Sequence, residues 1–245
     1  MYRIENVAIL KMYNPTCYKL SIHRSIPALG SSVAHKKKGT VNTKKLLANL
    51  SRAKNKVQEY ALCNNFDYFV TLTIDRLKYD RYDLKKYYKD LGKMLSNYNK
   101  IHDSKIKYIL IPENHKDGAW HMHGLISGIL PKHLTSNENG YLSWSQYSKK
   151  FGYMSLSKIK DKKKVSSYIT KYITKSLSAQ MDNLGNNLYY CSKKLNTAWE
   201  LKRGVLNPSK TFVPDYSTEN IIIKTFDTDE CLDYINDNYY IQLEE

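Results

Sequence analysis

Residues 107–128 read KYILIPENHKDGAWHMHGLISG, and this stretch decides the fold that the sequence predicts. KYILIPE (107–113) has the apolar, β-branched composition of a strand, and WHMHGLISG (120–128) has that of a returning strand. Between them NHKDGA (114–119) carries Asp-Gly at its centre, a pair that favours a tight turn. The stretch therefore predicts a β-hairpin.

Two histidines occupy alternate positions in the returning strand. Side chains at i and i+2 of a strand project to one face, so His121 and His123 point together. Glu113 lies on the outgoing strand, across the turn. Two imidazoles and a carboxylate can bind one divalent cation, Mn²⁺ or Mg²⁺, and leave positions open for water and a phosphate oxygen. A lone histidine pair of this kind is more often only hydrogen-bonded.

The segments around the hairpin alternate between helix and strand patterns. Strands are also indicated at 1–10 and 17–26, and 165–180 has β-branched residues that would suit a strand as well as a helix. The order β-α-β-β-α-β, followed by a helix, predicts an α+β fold with a central antiparallel sheet of about five strands and helices packed on one face. The predicted elements are a helix at 46–62, a strand at 66–75, a helix at 83–99, a short helix at 143–151, a strand at 152–159 and a helix at 165–180.

The last predicted helix carries a doubled pattern, YITKYITK (168–175). Tyr168 and Tyr172 share one helical face, and Lys171 and Lys175 lie on a neighbouring face. A phenol with its ordinary pKa of about 10 is a poor nucleophile at neutral pH. A nearby metal ion and ammonium groups favour the phenolate and stabilise charge on an attacked phosphate. In a chain with 22 tyrosines, such a pattern is more often an amphipathic helix with buried rings and solvated lysines.

The net charge of +16 is distributed unevenly along the chain. Residues 214–245 hold nine acids and one base, whereas the preceding 213 residues hold 38 bases against 14 acids, a net charge of +24. A body this basic favours a polyanionic partner, most often nucleic acid, over a merely solvated surface. The run Lys162, Lys163 and Lys164 directly precedes the tyrosine helix, so we predict that it contacts DNA.

The three motifs together resemble those of the HUH endonucleases. FVTLTID (69–75) resembles the first motif of that superfamily, and HMH (121–123) its histidine–hydrophobic–histidine signature. YITKYITK (168–175) is similar to the Y-x-x-K-Y-x-x-K of its two-tyrosine branch, the rolling-circle replication initiators of phages and plasmids. The likeness covers about residues 66–176.

The resemblance implies a metal-assisted reaction on single-stranded DNA. His121 and His123 would hold the metal ion, with Glu113 as third ligand and His115 as its competitor. A tyrosine would attack the scissile phosphate, leaving a 5′-phosphotyrosine and a free 3′-OH that primes synthesis.

The tyrosine helix would supply the nucleophile in that scheme. Either Tyr168 or Tyr172 would attack first, and the other would act after one round of replication. Lys171, and with it Lys175, would position the phosphate or neutralise its developing charge. The substrate would be single-stranded origin DNA with an adjacent hairpin.

The remaining expectations concern organisation and partners. We predict an N-terminal extension (1–45), an HUH endonuclease domain (46–180) and a C-terminal extension with an acidic tail (181–245). The chain has no G-x-x-x-x-G-K-[ST] loop, so we expect no nucleotide cofactor and a separate helicase and polymerase from the host. Dispersed cysteines, no membrane-spanning apolar run and no secretory N-terminus predict a protein of the bacterial cytoplasm without a membrane partner.

Other functions remain compatible with these residues. A relaxase or a single-strand transposase would use the same metal and tyrosine chemistry. A non-catalytic nucleic-acid-binding module on an RRM-like sheet would bind in a salt-dependent way without needing a metal. A metalloprotease is not expected, because H-E-x-x-H is absent.

Overall fold

The computed structural model describes residues 3–27, 43–136, 140–182 and 187–236. The chain divides into two compact units, one of Met1–Thr40 with Thr197–Glu245 and one of Val41–Asn196. None of the helices in the described part is both long and apolar enough to cross a membrane.

The described regular elements are numbered in chain order. The strands are β1 (Arg3–Asn14), β2 (Cys17–Pro27), β3 (Tyr68–Ile74), β4 (Lys107–Asn114), β5 (Trp120–Ser127), β6 (Leu134–Ser136), β7 (Leu142–Trp144), β8 (Gly152–Lys158), β9 (Tyr190–Cys191), β10 (Trp199–Leu206), β11 (Tyr216–Ser217), β12 (Ile221–Phe226) and β13 (Ile235–Asn236). The helices are α1 (Thr43–Cys63), α2 (Leu84–His102), α3 (Ser145–Lys150) and α4 (Lys162–Asp182).

The first unit is built on an antiparallel sheet with the strand order β11-β12-β2-β1-β10-β13. Its apolar core contains Leu10 and Leu20 from one end of the chain and Cys231 and Ile235 from the other. We predicted residues 1–45 and 181–245 as two separate extensions, and the structure pairs strands from both in one sheet. The C-terminal strands were not predicted, because acidic residues interrupt their short apolar runs.

The second unit contains the predicted hairpin at the middle of its sheet. The strand order is β6-β7-β8-β3-β5-β4-β9, and all pairs are antiparallel. Strands β4 and β5 pair along their whole length, with Glu113 opposite His121 and Ile111 opposite His123. The four long strands β8, β3, β5 and β4 lie side by side and account for most of the predicted sheet.

The α+β class is confirmed, but helices cover both faces of this sheet rather than the single face that we predicted. On one face Leu110 and Met122 pack in a core with α2 and α3. On the other face Ile109, Ile111 and Leu125 pack with α1 and α4. Successive residues of β4 are apolar and point to opposite faces, so both faces must be covered to remove them from water. The histidines of β5 lie on the α4 face.

Candidate active site

The paired histidines lie at the centre of the sheet, between two strands that both contribute polar side chains. On one side β3 places Thr73 opposite His121 and Thr71 opposite His123. On the other side β4 places Glu113 opposite His121. Because alternate residues of a strand share a face, these five side chains project together.

Each histidine ring is held through its Nδ1 atom. Thr73 Oγ1 lies 3.2 Å from His121 Nδ1, and Thr71 Oγ1 lies 3.2 Å from His123 Nδ1. A hydrogen bond at one ring nitrogen fixes the orientation of the ring and leaves the other nitrogen for a ligand. The threonines were not identified from the sequence, although FVTLTID puts them at alternate positions of a predicted strand.

The candidate metal ligands lie next to one another on this face. His123 Nε2 is 2.7 Å from Glu113 Oε2, and both side chains are largely buried. The His115 ring stacks on the His121 ring, with centroids 3.9 Å apart. Burial lowers the pKa of His121, and the nearby His115 and His123 lower it further. The neutral imidazole that this favours is the form that binds a metal ion.

The described residues contain no group of three or more His, Cys, Asp or Glu side chains already arranged as metal ligands. Nevertheless, the chemistry of the donors fits a divalent cation. His121 and His123 are anchored through Nδ1, and the Glu113 carboxylate is within hydrogen-bond distance of His123. Two imidazoles and a carboxylate suit Mn²⁺ and leave room for a phosphate ligand.

Helix α4 brings its two tyrosines to the histidine pair. Ile169 and Ile173 are fully buried against the sheet, and this fixes the face that α4 turns toward it. The Tyr172 ring then stacks on His123, with centroids 4.0 Å apart and planes 17° from parallel. The Tyr168 and Tyr172 hydroxyl groups are hydrogen-bonded at 3.0 Å. The two predicted nucleophiles therefore share one location beside the predicted metal ligands.

Phe69 links the two halves of the site. Its ring lies 5.5 Å from the Tyr168 ring and 6.2 Å from the Tyr172 ring, centroid to centroid. It also lies 6.4 Å from His123. Sequence reasoning did not assign Phe69 to the site. Its position two residues before Thr71 on β3 could have suggested that it shares the histidine face.

The predicted lysines have different surroundings in the structure. Lys171 Nζ lies 5.3 Å from the centre of the Tyr168 ring, whereas the side chain of Lys175 is outside the described residues. Lys162 Nζ donates to Asn65 Oδ1 at 2.7 Å and does not line the groove beside Tyr168. Lys163 and Lys164 do line it.

This lysine groove, as we call it, has a volume of about 790 Å³ and begins at Tyr168. Five lysines and one acid, Asp161, lie among its lining residues, so its charge is strongly positive. Phe69 and Tyr168 supply aromatic rings. Cations along a groove with exposed rings are typical of surfaces that bind single-stranded nucleic acid. The lysines are Lys158, Lys160, Lys163, Lys164 and Lys171.

The phenol of Tyr172 is held in its protonated form in the free protein. Burial raises its pKa well above the ordinary value, and the hydrogen bond from Tyr168 and the charge of Glu113 act in the same direction. Activation of this phenol would therefore need a cation close to it.

Fold and site together define a class: an α+β protein whose central strands present paired histidines to a helix with two tyrosines. Comparison with protein-family models gives a match, over residues 67–177, to the replication-associated protein family described by ORF2 and the gene-2 protein. The matched segment runs from β3 into α4 and contains Glu113, both histidines and both tyrosines. The match supports a replication initiator family for this segment. Comparisons with curated proteins and with solved structures returned no match.

Proposed function

We propose that the protein is a rolling-circle replication initiator that nicks and rejoins single-stranded origin DNA through a tyrosine nucleophile. The observation that carries the proposal is the stacking of Tyr172 on His123, which brings both hydroxyl groups of α4 to the histidine pair. The family match to a replication-associated protein supports the same role.

His121, His123 and Glu113 would hold a divalent metal ion, Mn²⁺ or Mg²⁺, in this proposal. When bound, such an ion polarises a phosphate oxygen and stabilises the charge that develops on it. Thr71 and Thr73 keep the imidazoles in the orientation that presents Nε2 to a ligand.

The tyrosine oxygen forms a bond to phosphorus, and the bond between phosphorus and O3′ breaks. The products are a 5′-phosphotyrosine and a 3′-OH that can prime synthesis. One phosphodiester replaces another, so rejoining the strand needs no nucleotide cofactor. The ammonium group of Lys171, close to Tyr168, stabilises negative charge on the attacked phosphate.

The lysine groove would hold the single strand next to the cut. Its cations neutralise backbone phosphates, and the rings of Phe69 and Tyr168 offer surfaces on which bases can stack. In the cell the partners would be an origin with an adjacent hairpin, a host helicase and a host polymerase. We place this activity in the bacterial cytoplasm, where these partners work.

Covalent attachment to DNA tests the proposal directly. With Mn²⁺ or Mg²⁺, we expect wild type to become attached to one of a set of single strands that tile the DNA element encoding it. The double variant Tyr168→Phe/Tyr172→Phe should lose attachment completely, because a phenyl ring has no oxygen to attack phosphorus. Denaturing gels and mass spectrometry of the adduct measure the outcome. Tyr82→Phe/Tyr216→Phe, at two exposed tyrosines elsewhere, is the matched control and should attach normally.

Attachment in the double phenylalanine variant would show that the nucleophile is wrongly assigned. Salt-dependent binding of every strand without attachment by wild type would instead favour the non-catalytic binding module. Relaxases and single-strand transposases share the chemistry, so a strand tiled from the origin must be the preferred substrate.

Removal of divalent metal provides a second prediction. Treatment with EDTA should abolish attachment, and added Mn²⁺ should restore it, because Tyr172 has a raised pKa without a cation nearby. His121→Ala/His123→Ala should behave like the EDTA-treated protein while keeping most of its DNA binding, measured by fluorescence anisotropy. Undiminished attachment in either case would contradict the metal assignment.

A further inference from the structure

We infer that the two tyrosines act in a fixed order: Tyr168 makes the first attack, and Tyr172 is kept for the second. The inference rests on the proposed function, and it concerns how the chain assigns two chemically identical groups to different steps. The distinction comes from the surroundings of each ring.

The two rings differ most in their access to solvent. Tyr168 is 45% exposed, whereas Tyr172 is 8% exposed. Tyr168 lines the lysine groove, and Tyr172 is not among the lining residues. A strand that enters along the groove therefore meets the Tyr168 ring and the neighbouring Lys171 first.

Packing holds Tyr172 in place before the reaction. Its ring is part of the core between α4 and the sheet, and it lies flat against His123. Its hydroxyl is hydrogen-bonded to that of Tyr168, the more exposed of the pair. Tyr172 can approach a phosphate in the groove only after this arrangement changes.

The first transfer provides that change. The Tyr168 oxygen bonds to phosphorus, the bond to O3′ breaks, and the phenol proton ends on O3′ as the new 3′-OH. Tyr168 then has no hydroxyl proton to share, so the hydrogen bond to Tyr172 in which it could donate is lost. Its ester oxygen stays near the Tyr172 hydroxyl, 3.0 Å away in the free protein, so the second nucleophile is beside the phosphotyrosine.

The second transfer repeats the same exchange with the roles passed on. The Tyr172 oxygen bonds to the phosphorus of the regenerated origin, and the bond to O3′ breaks. The 3′-OH released in this step attacks the phosphorus held by Tyr168. That attack closes the displaced strand and returns Tyr168 to a phenol, so atoms and protons balance without a further reactant.

Single-turnover attachment by the full-length protein tests the order. We compare wild type, Tyr168→Phe, Tyr172→Phe and the double variant on the attached strand, with the adduct peptide mapped by mass spectrometry. Both single variants keep the aromatic ring, so the stacking on His123 and the packing on Phe69 are retained. Equal melting temperatures would verify that both variants are folded.

We expect Tyr172→Phe to attach at nearly the wild-type rate and to fail at multiple-turnover strand closure. Tyr168→Phe should attach about tenfold more slowly or worse, because the remaining nucleophile is held away from the groove. The first wild-type adduct should map to the peptide with the ester on Tyr168. Equal single-variant rates, or a first adduct on Tyr172, would overturn the order and leave the proposed function intact. Absence of any adduct would overturn the proposed function itself.

Discussion

The side chains around the two imidazoles show how much of this site depends on contacts between strands. Thr71 and Thr73 are separated from the histidines by about fifty residues of sequence and meet them only through the register of β3 with β5. The sequence could identify His121 and His123 as a pair, because the spacing within one strand determines their common face. It could not identify the threonines as their partners, because the pairing register depends on tertiary structure.

Replacing both threonines tests their role as orienting groups. Thr71→Val/Thr73→Val keeps the branched shape and removes both hydroxyl groups. We expect DNA attachment to fall by about 10- to 100-fold, the usual effect of losing a hydrogen bond to a metal-binding histidine. Attachment rates are measured at saturating DNA and at a series of Mn²⁺ concentrations. A loss that excess Mn²⁺ partly restores would identify weakened metal binding as its cause.

Thr135→Val is the matched control for this double variant. Thr135 lies on the short exposed strand β6, and its hydroxyl makes only a long 3.4 Å contact with the Ser143 carbonyl among the bonds described. It should leave attachment unchanged. If the Thr71/Thr73 variant also kept full activity, the imidazoles would not need these hydroxyl groups.

The hairpin of β4 and β5 illustrates what patterns along the chain can and cannot determine. Strand and helix types followed from periodicity and from the Asp-Gly turn, since these depend on neighbouring residues. The covering of both sheet faces did not follow, because the apolar run 109–111 of β4 was assigned to a strand without asking what covers its second face. The pairing of β1 with β10 joins residues almost two hundred positions apart, and no local pattern indicates it.

Gly124 on β5 is required by the close approach of β4 at this point. A Cβ atom at Gly124 would lie 2.1 Å from the Ile109 carbonyl oxygen and 2.7 Å from a methyl group of Leu110. The first contact involves backbone, so the hairpin must shift to relieve it. We expect Gly124→Ala to lower the free energy of unfolding by about 3 kcal/mol, as severe overpacking does. Urea unfolding followed by circular dichroism measures this value.

Gly92 provides the opposite case on α2. A Cβ atom there meets no heavy atom within 4 Å, and alanine is the better helix former. Gly92→Ala should therefore raise the free energy of unfolding by about 0.5–1 kcal/mol. Equal effects of the two substitutions would mean that the strands in the central sheet are not packed as closely as the structure has them.

At the scale of the whole molecule, charge is separated along the chain in a way that bears on DNA binding. The acid-rich stretch after residue 213 contributes strands β11, β12 and β13 to the first unit. The lysine groove belongs to the second unit. Net charge alone would attract DNA to any basic part of the surface. The groove predicts instead that a few particular lysines account for most of the phosphate contacts.

Charge-matched variants separate these two possibilities. Lys158→Gln/Lys160→Gln/Lys164→Gln removes three cations from the groove. Lys85→Gln/Lys89→Gln/Lys93→Gln removes three from exposed positions of α2, which packs on the opposite face of the sheet. Both variants have the same net charge, so a general attraction would weaken equally in the two.

Binding of a single-stranded oligonucleotide over a series of salt concentrations, followed by fluorescence anisotropy, distinguishes the variants. Each phosphate contact contributes about 0.7 to the slope of log affinity against log salt for a single strand, so the groove variant should lose about 2 from that slope. The α2 variant should keep the wild-type slope, because its lysines lie across the sheet from the strand. Equal losses in both would mean that DNA is held by overall charge, and the groove would then have no special part in binding.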